Sequence, residues 1–193
     1  MKPDRSRLTS TLLFLALLTL CTSALGEDRV PASNPIQLFE ITFDKDGIAH
    51  VHALLELPAS PETVFTVLTD YAHWARLFAD GTTMVSIRRD ADGVTTDMYV
   101  PRSVMPGRVH LVIRTRTPSH ARIEAELVSG DLQRFWRRWD LQPSMSQSAT
   151  KAELQILLQP RTWAPQWMIR YGIEKELTEH FRRLVAAVQE SPH

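Results

Sequence analysis

His50 and His52 stand two apart in a segment that reads as extended chain, so both imidazoles point to one side, a spacing that can hold a metal ion. A third ligand would have to come from His73, His110, His120 or His180. The competing reading is a pair of half-exposed strand histidines. Acid–base chemistry would draw on Asp97 or Tyr99 from one strand and on Arg170, Tyr171 or Glu174 from the last helix. Arg170 and Glu174 are four apart, however, which is the spacing of a surface ion pair, and Glu176 with His180 and Glu179 with Arg183 repeat it. The chain has no Gly-x-Ser-x-Gly elbow, His-Glu-x-x-His, glycine-rich phosphate loop or dinucleotide fingerprint. The expectation is a solvated charged helix face, with no catalytic residue, no metal and no cofactor.

The elements that would position these groups alternate in a clear order. Ile36 to Phe43 and Ile48 to Leu57 read as strands around the turn Asp44-Lys45-Asp46-Gly47. Ser60 is placed to cap a helix that starts at Pro61 and buries Val64, Phe65, Val67 and Leu68; Asp70 then starts a second helix with Trp74, Leu77 and Phe78. Six further strands are predicted at 83–89, 95–100, 107–117, 120–128, 132–142 and 150–158, each join marked by glycine, proline or aspartate. Val109, Leu111, Ile113 and Thr115 alternate with charged or polar neighbours, as do Ile123, Ala125 and Leu127, and Ala152, Leu154, Ile156 and Leu158, so one sheet face is apolar and the other wet. The last segment, 165–189, spaces Trp167, Met168, Tyr171, Leu177, Phe181, Leu184, Val185 and Val188 as a helix with one buried stripe.

Two segments carry a family resemblance. Leu57 to Phe78, running Leu-Pro-Ala-Ser-Pro-Glu-Thr-Val-Phe into the aromatic-rich second helix, resembles the entry to the helix-grip fold of the START-like, or SRPBCC, superfamily in its coenzyme Q-binding and polyketide-cyclase-like branch. Val128-Ser129-Gly130-Asp131-Leu132, leading to Trp139-Asp140-Leu141, is similar to the glycine-started strand of that branch, and the likeness extends over 39–188. The resemblance implies an α+β fold: a curved antiparallel sheet of about seven or eight strands wrapped around a long C-terminal helix, with two short helices after an early strand. It specifies a fold better than an activity.

A helix cannot fill the whole hollow of such a sheet, and the resemblance implies a hydrophobic ligand there: a lipid, a quinone or a polyketide-like ring system. The residues expected at the mouth and lining are Trp74, Phe78, Met98, Val100, Ile113, Trp139, Trp167, Tyr171 and Phe181, against the alternative that each is solid core. The loop from Tyr99 to Gly107 is the candidate lid. Arg134, Arg137 and Arg138 flank Trp136, and with Arg108, Arg114, Arg116 and Arg122 they would form a cationic outer patch suited to transient contact with anionic membrane; Glu124 and Glu126 could instead balance it.

The first residues carry Lys2, Arg5 and Arg7, then an apolar run from Leu12 to Leu20 and small residues up to Gly26. They read as a cleaved export signal over 1–26, followed by a flexible leader over 27–35 and one START-like domain over 36–193. The run is shorter than the ~20 residues of a membrane span, so a retained anchor is the second reading, and lipid attachment at Cys21 the third. Cleavage would remove the only cysteine, and with it thiol chemistry and disulfides. It would also leave 19 basic against 21 acidic residues, a balance that argues against nucleic acid as a partner. The preferred function is an exported, periplasmic binding or carrier protein for a hydrophobic small molecule; the alternatives are an aromatase- or cyclase-type enzyme and a non-catalytic protein-interaction module.

Overall fold

Eight strands follow one another in a single antiparallel sheet, and the computed structural model describes residues 34–102, 104, 106–145 and 148–191. The expected signal and most of the leader lie outside the described residues, as do Ser103 and Met105 of the candidate lid. Strands β1 (Ile36–Phe43) and β2 (Ala49–Leu57) form the opening hairpin around Gly47, whose φ of 75° suits a glycine. After the helical connection come β3 (Thr83–Asp90), β4 (Gly93–Pro101), β5 (Arg108–Ser119), β6 (Arg122–Gly130), β7 (Leu132–Pro143) and β8 (Thr150–Pro160). The order across the sheet is β1-β2-β8-β7-β6-β5-β4-β3, so β8 returns to pair with β2 while β1 and β3 hold the two edges. This is the curved helix-grip sheet, with eight strands.

Helix α1 (Pro61–Thr69) lies in the long connection from β2 to β3. Ser60 is its N-cap and accepts a hydrogen bond from the Thr63 amide at 3.3 Å, and Pro61 occupies the first turn, where a missing N–H costs nothing. The second short helix is a 3₁₀ helix over Tyr71–Leu77. Its tighter winding puts Tyr71, Trp74 and Leu77 three apart on one inward edge. Trp74 Nε1 donates to the Leu68 carbonyl at 3.0 Å and ties the two helices together in the core.

Helix α2 (Gln166–Glu190) lies against the concave face. Its buried residues are Ile173, His180, Phe181, Leu184, Ala187 and Val188; of the expected stripe, Met168, Leu177 and Val185 are half-buried, and Trp167 and Tyr171 are exposed. Opposite them the inward residues of the central strands, Ala125, Ile123, Trp139, Leu141, Ala152 and Leu154, complete the core. The C-terminal half of α2 packs tightly against this face. The N-terminal half does not, and the site lies there.

Candidate functional site

An apolar cavity of about 290 Å³ separates the N-terminal half of α2 from the sheet. Inward side chains from four strands form its floor: Met98 and Val100 of β4, Leu111 and Ile113 of β5, Phe135 and Trp139 of β7, and Leu154, Ile156 and Leu158 of β8. Strict alternation makes this possible, since every second residue of each strand faces the hollow. Met168, Ile169, Gly172, Ile173 and Leu177 of α2 form the roof. The mouth is lined by Pro101, Arg102 and Val104 after β4 and by Arg161, Thr162 and Ala164 before α2, of which Arg102, Arg161 and Thr162 are exposed.

Of the nine residues expected here, Phe78, Met98, Val100, Ile113 and Trp139 line the cavity. Trp74 and Phe181 do not reach it; both are packed in the core, where Phe181 meets Phe39 and Trp139 edge-on. Trp167 and Tyr171 point to solvent, with 66% and 55% exposure. On these first turns Met168, Ile169 and Gly172 face the cavity, and Trp167 and Tyr171 lie on the solvent side of the helix.

The inner end of the cavity holds polar groups that the sequence reading placed elsewhere. Arg137 was grouped with Arg134 and Arg138 on the outer patch, but it shares strand parity with Phe135, Trp139 and Leu141 and points inward with 7% exposure. Its guanidinium sits 5.1 Å from the Trp74 ring centroid, its Nε has no hydrogen-bond partner, and the half-buried Glu176 carboxylate lines the same cavity without forming an ion pair to it. Burial lowers its pKa to about 10, so it remains a cation at neutral pH. Trp139 Nε1, two residues along the strand, is a second buried donor without a partner.

His180 was expected on the exposed charged face; it is buried and lines the same cavity. It stacks on Phe78 at 5.3 Å and lies 6.5 Å from Trp139. Its Nδ1 is 2.7 Å from the Leu77 carbonyl oxygen, an atom that only accepts, so Nδ1 carries the proton and Nε2 keeps its lone pair. Desolvation, with a smaller contribution from the nearby Arg137 charge, lowers its pKa to about 4, and the ring is neutral at physiological pH. Both residues were legible in principle: Arg137 from its parity with Trp139, and His180 from lying seven residues after Ile173 and three after Leu177.

The other candidates lie outside this site. Asp97 and Tyr99 alternate with the cavity-lining Met98 and Val100, so they occupy the convex face, where Asp97 bonds His110 at 2.8 Å and Tyr99 stacks on the same ring. Arg170 does not bridge to Glu174; it donates to the Ile41 carbonyl and sits over Phe43. The Glu179–Arg183 pair forms at 2.6 Å, and Arg183 also reaches Asp80. His50 pairs with Asp44 and His52 with Glu153. Among the described residues no three metal-ligating side chains cluster. The outer arginines are largely neutralised: Arg114 by Asp90, Arg116 by Glu126, and Arg122 and Arg138 by Asp140.

An eight-stranded sheet gripping a terminal helix above an apolar cavity defines the START-like, or SRPBCC, class. Within it, the chain belongs to the family described as polyketide cyclase / dehydrase and lipid transport, whose model matches residues 57–184. Solved structures of similar fold include a START superfamily protein from Mycobacterium smegmatis, with TM-score 0.59 and 15% identity, covering 73% of this chain and 97% of that one. The Zhui aromatase/cyclase from Streptomyces sp. R1128 aligns with TM-score 0.62 and 16% identity over 74% of this chain and 94% of its own. A conserved protein from Geobacillus kaustophilus gives 0.60 and 14%, over 75% and 97%. No curated protein sequence matches the chain. At these identities the likeness shows the fold.

Proposed function

We propose that this protein is an exported binding or carrier protein that encloses a hydrophobic small molecule between its sheet and α2 and performs no bond chemistry on it. The observation that carries this reading is the cavity itself: apolar walls drawn from four strands and a helix, continuous with an exposed mouth. Apolar ligand surface leaving water there contributes roughly 25 cal/mol per Å². At about 290 Å³ the space is at the small end of ligand pockets and fits a medium-length acyl chain or a compact ring system; a longer tail would leave through the mouth.

The family description and the Zhui aromatase/cyclase keep an enzymatic reading in view. None of the expected acid–base candidates Asp97, Tyr99, Arg170, Tyr171 and Glu174 lines the cavity, whose carboxylates are Glu176 and Asp131, and a histidine with a pKa near 4 is a weak base at neutral pH. Export rests on the basic, apolar and small-residue pattern of residues 1–26, with the periplasm as the destination in a bacterial cell. No helix among the described residues is long and apolar enough to cross a membrane. Loading from a membrane surface would use the mouth, where exposed Trp163 and Trp167 follow the mouth residue Arg161 in the chain, in preference to the neutralised arginines of the convex face.

Native mass spectrometry of the protein purified from its periplasm tests the reading. We expect one co-purifying apolar molecule per chain, removed by L111W, which fills the floor of the cavity. A wild-type chain free of ligand that also fails to take up any lipid, quinone or aromatic probe would overturn it.

A further inference from the structure

A buried guanidinium with no anion beside it is among the costlier things a fold can keep, because the charge has lost water and gained no counter-ion. Arg137 is such a group, and it lines the inner end of the apolar cavity rather than a solid core. The neighbouring Tyr71 cannot neutralise it: burial raises the phenol pKa, so that side chain stays protonated. Trp139 Nε1 adds an orphan donor on the same strand, and His180 presents Nε2 to the same space. Two carboxylates, half-buried Glu176 and exposed Asp131, also line the cavity, but the charged group buried within it is Arg137. The most deeply buried charge of the cavity is therefore cationic, set among apolar walls.

We propose that the Arg137 end of the cavity is a head-group subsite for the carboxylate of an otherwise apolar acid, which enters polar end first. Arg137 supplies the counter-charge and a hydrogen-bonding fork, and the acyl chain or ring lies along Met98, Ile113, Leu154 and Ile173 toward the mouth. This rests on reading the cavity as a hydrophobic-ligand site and deepens it by naming the ligand class as acidic amphiphiles.

The test compares binding of dodecanoate, methyl dodecanoate and dodecanol to the lipid-stripped wild-type protein by calorimetry at neutral pH, and repeats it with R137M and R137K. A charge-assisted hydrogen bond in a desolvated site predicts that the wild type prefers the carboxylate by about tenfold or more. R137K should retain part of that preference and R137M should bring acid and alcohol within about twofold of each other. Equal wild-type affinity for acid, ester and alcohol would overturn the subsite while leaving the hydrophobic-ligand reading intact. Failure to bind any of the three would overturn both. Retention of the full acid preference by a folded R137M would place the recognition elsewhere and sink the assignment.

Discussion

At the residue scale, His180 has an unusual combination of surroundings. Its Nδ1–H is committed to the Leu77 carbonyl, one ring face lies on Phe78, and Arg137 is close enough to oppose a second positive charge. The folded pKa near 4 lies below the ordinary value of 6.5, so between these two values the unfolded chain binds a proton that the folded chain refuses. Stability is therefore independent of this residue above pH 6.5 and is lost as pH falls from 6.5 toward 4, by up to about 3 kcal/mol. Urea midpoints measured at pH 7.0 and pH 5.0 should drop more for the wild type than for H180Q, which cannot take up the proton; parallel losses would show that His180 is not the group responsible. The same residue shows why the site was only partly legible. Read by type, a histidine four residues after Glu176 belongs to a charged face, and an arginine between Trp136 and Arg138 belongs to a basic patch. Strand parity and helix phase place both inside, and there position outweighs residue type.

At the scale of elements, turn and cap chemistry was the readable part. Ser60-Pro61 starts α1 as its side chains require, and the alternations in β5, β6 and β8 predict their inward faces correctly. The 3₁₀ geometry of Tyr71–Leu77 was not readable, because Trp74, Leu77 and Phe78 suit either helix type until the core fixes which residues align. Nor does apolar spacing alone fix which side of the first turns of α2 faces the sheet, so Trp167 and Tyr171 read as part of the buried stripe although both are exposed. The β6–β7 turn gives a sharp test of an anchor that the sequence did reveal. Gly130 has φ of 131°, and a Cβ there would lie 2.3 Å from the His110 carbonyl oxygen of β5. G130A should therefore destabilise the fold by at least about 1–3 kcal/mol, read as a shift in the thermal or urea midpoint. A midpoint within error of wild type would mean that β5 and β6 do not approach as closely as described.

For the molecule as a whole, the architecture divides work along α2. The C-terminal half, with Phe181, Leu184 and Val188 fully buried against the sheet, supplies core stability. The N-terminal half stands off the same sheet and leaves space for a guest, so ligand burial can be gained without first opening the core. That division is the central claim, and methyl NMR addresses it directly. Titrating the labelled protein with dodecanoate should shift the methyl resonances of Met98, Ile113, Leu154 and Ile173, which face the cavity, and the shifts should saturate at one equivalent. The exposed convex-side residues Val85 and Val128 should stay fixed. Shifts confined to Val85 and Val128, with the four cavity methyls unmoved, would contradict the account.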